Sequence, residues 1–295
     1  MNIEKISKEY YEEFINYCIK YRKENDDSFI TDNELKKFEI GDENPTFLLI
    51  ENGTICGVLS LVANEYYLSS NKTRVRIFHL TEPNIENYKM LLNEAIKYNA
   101  DFNNIEIFVN DTCFNKKEIL EAIDFKYLRT SYVMIRKNKE EVKVEFPDGY
   151  KLIPFKEGRD EEIFMNIRNE AFKNIMGSYN ITKKIVTEIY EDSLLLKNGM
   201  QILYDGEKPI GIIRVIIEED ETGSYSFIAP LAIIPEYQGK GLGKELLKAG
   251  IEIGQKNALN NAMLVVNAEN EKALSLYTKN GYEILEAVSC YNYKF

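Results

Sequence analysis

The order of pattern elements in this chain occurs twice. In the first half, helix-like segments over residues 7–21 and 32–38 precede the apolar run Phe47-Leu48-Leu49-Ile50, an Asn52-Gly53 turn and a second run from Ile55 to Val62, which together spell a β-hairpin. In the second half, Ile163 to Phe172 and Lys183 to Tyr190 precede Gln201-Ile202-Leu203-Tyr204, an Asp205-Gly206 turn and Ile210 to Ile217. Val109-Asn110 recurs as Val266-Asn267 and Asp124-Phe125 as Gly281-Tyr282 at a spacing of 157 residues, and Gly57 recurs as Gly211 at 154. Ordered self-similarity at this length points to a duplicated α/β domain rather than a short-period solenoid. A chance likeness between two ordinary α/β domains is the competing explanation. A charge run, Lys137-Asn138-Lys139-Glu140-Glu141, and the turn Pro147-Asp148-Gly149 mark the boundary. The expectation is an α/β fold (α+β, mixed sheet) in two tandem domains, 1–140 and 148–295, each near the common domain size of about 140 residues.

Composition removes several classes of function. The net charge is -11 and divides evenly, with 19 basic and 24 acidic side chains in residues 1–140 and 18 and 24 in 141–295. An acidic chain without basic blocks repels a phosphate backbone and an anionic membrane surface, so neither nucleic acid nor membrane is expected as a partner. No apolar run approaches the ~20 residues of a membrane-spanning helix. The opening residues Met1 to Ile6 are charged and develop no secretory core, so the cytoplasm is the expected location. Cys18, Cys56, Cys113 and Cys290 form no Cys-x-x-Cys pair, and His79 is the single histidine, so no metal site is expected.

The chemistry concentrates in the second half. Phe227-Ile228-Ala229-Pro230-Leu231-Ala232-Ile233-Ile234 is a continuous apolar run rich in strand formers, and Pro230 predicts a bulge where ladder pairing stops. Pro235-Glu236-Tyr237 leads into Gln238-Gly239-Lys240-Gly241-Leu242-Gly243, after which Lys244 onward predicts a helix with Leu242, Leu246, Leu247 and Ile251 on one face. Glycines admit close backbone approach, and the unpaired N–H groups of a helix start favour a pyrophosphate. Taken alone, the cluster is equally a tight turn with no ligand, and Lys240 and Lys244 are equally solvated side chains. Spacing excludes two familiar phosphate loops. Glu245 follows Gly243-Lys244 where a P-loop needs Ser or Thr, and Lys244 stands where the dinucleotide motif needs its last glycine.

The segment from Leu231 to Gly243 resembles the Gln-x-x-Gly-x-Gly signature and lead-in strand of the GNAT superfamily of N-acetyltransferases. Downstream, Leu264-Val265-Val266-Asn267 is similar to that family's fifth strand, Asn270 to Asn280 to its fourth helix, and Asn280-Gly281-Tyr282 to the exit into the last strands. The resemblance covers about residues 148 to 295. It implies an acyl-coenzyme A site, acetyl-CoA by preference, with no metal. The cofactor would lie against Leu231, Ala232 and Ile233, with backbone groups of Leu231 and Ile233 pairing with the pantetheine arm, and Gln238, Gly239, Lys240, Gly241, Leu242, Gly243 and Lys244 forming the pyrophosphate turn. Asn267 and Asn270 match cofactor-contacting positions, although Asn270 also suits the N-cap of the following helix. Tyr277, seven residues beyond Asn270, coincides with the tyrosine that donates a proton to the departing thiolate. In a chain with 20 tyrosines the alternative is a buried core residue.

The implied reaction is attack of an amine, on a small molecule or peptide, directly on the thioester. A non-catalytic acyl-CoA sensor or scaffold is the alternative, because Ser224-Tyr225-Ser226-Phe227 holds no carboxylate where relatives often place a general base. Glu218-Glu219-Asp220-Glu221 is either an acidic patch serving the amine or a solvated hairpin tip, and no base is assigned. Acceptor contacts are expected from residues 164–190 and 218–224. The acceptor's identity and the oligomeric state stay open.

The first half acts as an internal control. Shifted back by 157, the phosphate turn becomes Thr81-Glu82-Pro83-Asn84-Ile85-Glu86, with no glycine and two carboxylates that oppose a pyrophosphate. Leu120 replaces the tyrosine and Cys113 replaces Asn270. This half is expected to keep the fold without a cofactor, as in tandem members of the superfamily of the mycothiol synthase type. His79 is expected to be structural.

Overall fold

The computed structural model describes residues 1–26, 28–98, 102–137, 139–220 and 223–295; Asn138 of the charge run and Glu221 of the acidic stretch lie outside them. From the N-terminus run β1 (Asn2–Lys5), α1 (Tyr11–Lys20), α2 (Asp32–Lys36), β2 (Thr46–Glu51), β3 (Thr54–Val62), α3 (Glu65–Leu68), β4 (Thr73–Leu80), α4 (Ile85–Tyr98), β5 (Asn104–Asn110), α5 (Phe114–Ala122) and β6 (Lys126–Arg136). There follow β7 (Tyr150–Pro154), α6 (Glu161–Phe172), α7 (Lys183–Tyr190), β8 (Leu195–Asp205), β9 (Lys208–Asp220), β10 (Gly223–Ile233), α8 (Leu242–Lys256), β11 (Ala262–Asn267), α9 (Glu271–Lys279) and β12 (Glu283–Lys294). Both hairpins predicted from the Asn-Gly and Asp-Gly turns are present, because those residues take the positive φ that a tight connection requires: Asn52 at 53°, Gly53 at 77° and Gly206 at 57°.

Two compact units result, one of Met1–Ser131 with Ala287–Phe295 and one of Tyr132–Glu286. The first has the strand order β1-β2-β3-β4-β5-β12 and the second β6-β11-β10-β9-β8-β7. These units do not coincide with the boundaries 1–140 and 148–295. β12 pairs antiparallel with β5, Ser289 opposite Val109 and Tyr291 opposite Ile107, so the end of the chain completes the first unit. Pairing between distant strands is set by backbone register and shared burial, which leave no local mark in the sequence.

Each unit has helices on both sheet faces. In the first, α4 buries Tyr88, Leu91, Leu92 and Ala95, spaced three and four apart, against Leu59, Phe78, Ile105 and Ile107. In the second, α8 buries Leu242, Leu246, Leu247 and Ile251, as its periodicity predicts, against Ile213, Val215 and Ile228. Each such side chain contributes about 1.5–3 kcal/mol by leaving water. α8 sits unusually close to the sheet. A Cβ on Gly250 would lie 2.7 Å from Ile213 Cδ1, and one on Gly254 2.5 Å from Ser226 Oγ.

Both units part their parallel strands. β4 and β5 pair only at Thr73–Ile105 and Arg74–Glu106 among the described residues, and β10 and β11 only at Ser226–Ala262 and Phe227–Met263. All four strands continue past those positions, which leaves a notch with unpaired strand edges in each sheet. In the second unit the β9–β10 register shifts between Ile228 and Leu231, spanning Pro230. The bulge expected there is present, because proline has no N–H to give the ladder.

Candidate functional site

The open notch of the second unit runs directly into the glycine turn. β10 ends at Ile233, a single 3-10 turn over Pro235–Tyr237 redirects the chain, and α8 starts at Leu242. Gly239 and Gly241 have φ of 79° and 81°, in the left-handed region that costs other residues about 1–2 kcal/mol. A Cβ at either position would meet nothing within 4 Å, so these glycines border open space. The turn is braced from behind by Gln238, whose Nε2 donates to the Ile233 carbonyl at 2.9 Å and whose backbone N–H donates to Pro235 at 3.2 Å. Gln238 thus uses its backbone N–H and one side-chain N–H to shape the turn.

The consequence is a row of free donors. Among the described residues, the backbone N–H groups of Gly239, Lys240, Gly241, Leu242 and Gly243 make no hydrogen bond, that of Lys244 reaches only the Gly241 carbonyl at 3.1 Å, and α8 has no side-chain cap. Unpaired amides at a helix start carry the positive end of the helix dipole and favour a multiply charged anion. Lys240 Nζ lies over the Tyr237 ring at 4.3 Å, and Lys244 is exposed. The row of donors itself is made by the backbone.

α9 follows β11 and packs beside the start of α8, where a Cβ on Gly243 would lie 3.6 Å from Leu276 Cδ2. Asn270 is its N-cap, its Oδ1 accepting from the Ala273 N–H at 3.2 Å. Tyr277 is 9% exposed and packs on Tyr282 at 6.0 Å between ring centroids. Burial alone pushes its phenol up to about 12, so the hydroxyl stays protonated at neutral pH and can act only as a donor or acceptor of an intact O–H. Asn267 ends β11, and its Nδ2 donates to the Met176 carbonyl in the α6–α7 loop at 3.0 Å. Leu231 is half-buried, and Ala232 and Ile233 are buried, on the stretch of β10 that has lost its β11 partner.

Three further features lie along β9 and β10. Arg214, buried in β9, pairs with Asp192 at 2.6 Å and donates to the Ile189 carbonyl at 3.2 Å. Glu218 lies within β9 opposite Tyr225, whose hydroxyl donates to it at 3.4 Å. It is a strand residue and not part of a free hairpin tip. Tyr225, Met263 and Ile135 form a small apolar cluster with Phe227 and Val133.

The first unit fills the same notch. Lys116 of α5 is buried, and its Nζ donates to the Phe78 carbonyl on the unpaired stretch of β4 and to the Tyr88 hydroxyl at 3.4 Å. Its Nζ also lies over the Phe78 and Tyr88 rings at 5.5 and 5.0 Å. Burial pushes its pKa down to about 7. At the spacing of 157 its counterpart in α9 is Ala273, whose methyl has no polar atom to offer a strand edge. Beside it, His79 Nδ1 meets the Tyr17 hydroxyl at 2.8 Å, and His79 Nε2 meets Glu24 at 3.1 Å. His79, expected to be structural, thus gains a carboxylate partner from the segment after α1. What remains between Glu24, Arg76, Phe108 and Lys116 is about 10 Å³, room for one water. The turn before α4 is closed as well: Asn84 Oδ1 accepts from Asn87 at 3.1 Å, and Pro83 has no N–H to offer.

Comparison with known proteins places these observations. Residues 163–282 match the acetyltransferase (GNAT) family. A mycothiol acetyltransferase of Kocuria rhizophila is 27% identical over 147 residues, 48% of this chain and 48% of that protein. The same enzyme from Pseudarthrobacter chlorophenolicus is 30% identical over 140 residues, 46% of this chain and 43% of that protein. The chain spans about half the length of the curated relatives it matches. A GCN5-related N-acetyltransferase from Sphaerobacter thermophilus superposes with a TM-score of 0.73 at 13% identity, over 99% of this chain and 95% of that one. A tandem GNAT protein from the clavulanic acid biosynthesis pathway does so with a TM-score of 0.71 at 11% identity, over 99% and 98%.

Proposed function

We propose that this protein, whose residues 163–282 match the acetyltransferase (GNAT) family within a chain of tandem GNAT fold, is an acyl-CoA-dependent N-acyltransferase that moves an acetyl group to an amine. The observation that carries the proposal is the row of free N–H groups from Gly239 to Gly243 at the end of an open strand notch. We assign the unit Tyr132–Glu286 as the cofactor-binding domain and the unit Met1–Ser131 with Ala287–Phe295 as its degenerate counterpart.

The residues present fit coenzyme A. Backbone amides from Gly239 to Lys244 hold the pyrophosphate, and the unpaired edge of Leu231, Ala232 and Ile233 offers amide partners to an extended pantetheine arm. Gln238 shapes the turn, and Asn270 fixes the start of the helix that carries Tyr277. When bound, acetyl-CoA supplies an activated acyl thioester. Tyr277 then holds a proton at its hydroxyl for the sulfur that leaves, a role suited to a phenol whose pKa burial raises. Backbone N–H groups beside the Ile228–Leu231 bulge stabilise the oxyanion. The acceptor meets the notch on the α6–α7 side, and Glu218, which accepts from the Tyr225 hydroxyl, is the carboxylate we assign to steer an ammonium. The names of the relatives make an amine of a small molecule related to mycothiol the first acceptor to test.

Calorimetry of acetyl-CoA against the purified chain tests the proposal first, and acetyl-CoA consumption over an amine panel tests it second. One cofactor site and turnover with at least one amine are expected. A folded chain that binds no acyl-CoA ends the reading; tight binding without turnover on a broad panel turns it into an acyl-CoA sensor.

A further inference from the structure

We propose that Asn267 is an acceptor-positioning residue, whose side-chain amide seats the α6–α7 loop at the open end of the β10–β11 notch. This assignment rests on the acyltransferase reading above. Residues 173–182 connect α6 to α7 and are tied at two points. At the root, Asn169 of α6 grips Ile181 with both ends of its amide: Oδ1 accepts from the Ile181 N–H and Nδ2 donates to the Ile181 carbonyl, each at 2.9 Å. At the tip, the Ser178 N–H donates to the Ile175 carbonyl at 3.0 Å, and Gly177 has a φ of 78°. That is a type II turn, which needs glycine at its third position and turns its central peptide over. The Met176 carbonyl belongs to that central peptide. It does not close the turn's own hydrogen bond and so is available to an outside donor, and Asn267 Nδ2 takes it at 3.0 Å.

The position of Asn267 gives the clasp its consequence. β11 separates from β10 after Met263, and Asn267 is its last residue, so the bond links the loop to the strand that borders the notch. Met176, 55% exposed, is thereby held at that border. Its unbranched thioether side chain adapts to irregular apolar shapes. A loop fixed at root and tip presents one surface to an incoming amine and loses little further freedom when the amine binds. The side chain that resembled a cofactor ligand therefore serves the other substrate.

The test compares Asn267→Asp, Gly177→Val and the double variant with the wild type, using an amine that the panel identifies. An aspartate keeps the shape of Asn267 but cannot donate, and it repels the Met176 carbonyl. A valine cannot hold the positive φ of the turn. Each single variant is expected to raise KM for the amine about tenfold, the worth of a lost hydrogen bond with its partner left behind. The acetyl-CoA dissociation constant by calorimetry should stay within about twofold, and the double variant should be no worse than either single one. Amide exchange across residues 173–182 should quicken in each. Weaker acetyl-CoA binding with an unchanged amine KM would return Asn267 to the cofactor and overturn the proposal, as would additive effects or unchanged exchange in the loop. A wild-type chain that binds no acetyl-CoA fails the acyltransferase reading and this role with it. Quickened exchange in Asn267→Asp would then show that the clasp itself is real, which separates the two failures.

Discussion

The two notches share a backbone plan and differ in what stands opposite the unpaired strand edge. In the first unit, Lys116 reaches in from α5 and gives a hydrogen bond to the Phe78 carbonyl, and the neighbouring turn caps its own helix with Asn84. In the second, Ala273 stands at the position of Lys116 and offers no donor, and the turn before α8 presents amides that make no hydrogen bond among the described residues. Parting two strands exposes backbone groups that must find partners. One unit satisfies them with its own side chains and keeps room for a single water. The other does not place a side chain of this kind there. The same backbone plan therefore supports both arrangements, and a handful of side chains separates them.

The most severe way to break the comparison is to spoil the open turn. Gly241→Val forces a branched residue to a φ of 81° and displaces amides whose contacts to a charged group are each worth about 1.5–3 kcal/mol. A fall in acetyl-CoA affinity of about 100-fold or more is expected by calorimetry, with thermal unfolding changed far less. Tyr277→Phe comes next. It should lower kcat about 100-fold while the acetyl-CoA dissociation constant is unchanged, the mark of a lost proton donor. An equal loss of cofactor affinity would show a packing role instead.

Lys116 sharpens the comparison from the closed side. Its pKa is pushed down to about 7 in the folded unit, against about 10.4 for a free lysine. Between those values the unfolded chain carries a proton that the folded chain lacks, so this group makes stability rise with pH across that window. Lys116→Met keeps most of the packing and removes the titration. In urea unfolding between about pH 7.5 and about pH 9, the wild type should gain stability relative to the variant at up to about 1.4 kcal/mol per pH unit; parallel profiles would contradict a buried, uncharged Lys116. Acetyl-CoA binding should be the same in both. The smallest effect is expected from Glu82→Gly combined with Glu86→Gln. Removing both carboxylates from the closed turn leaves Pro83, Asn84 and Lys116 in place, so calorimetry should still count one acetyl-CoA per chain. A second site would mean that charge alone had closed the first unit.

Much of this contrast was legible in the linear chain. The Asn52-Gly53 and Asp205-Gly206 hairpins, the apolar face of α8, the Pro230 bulge and the glycine turn all depend on residues close in sequence. Backbone dihedral preferences and periodicity act at that range. The loss of glycines at Thr81 to Glu86 was visible for the same reason. Asn270 as a helix cap was equally readable, since a cap bonds three residues ahead. Three things were not. Lys116 reads as an ordinary lysine of α5 until Phe78 and Tyr88 enclose it, and His79 gains Glu24 only when the segment after α1 folds across β4. Asn267 resembles a cofactor contact until the turn at Gly177 delivers the Met176 carbonyl to it.

Sequence alone determined that the chain holds two related α/β patterns, that one of them carries a glycine turn at the start of a helix, and that the other has lost it. Each follows from conformational demands met within a few residues. Tertiary structure alone decided that residues 287–295 complete the first unit, that Lys116 occupies one notch, and that Asn267 ties the α6–α7 loop beside the other. Those outcomes depend on strand pairing and burial between segments far apart in the chain, where a residue's partner is set by the packed fold and by nothing in its immediate neighbours.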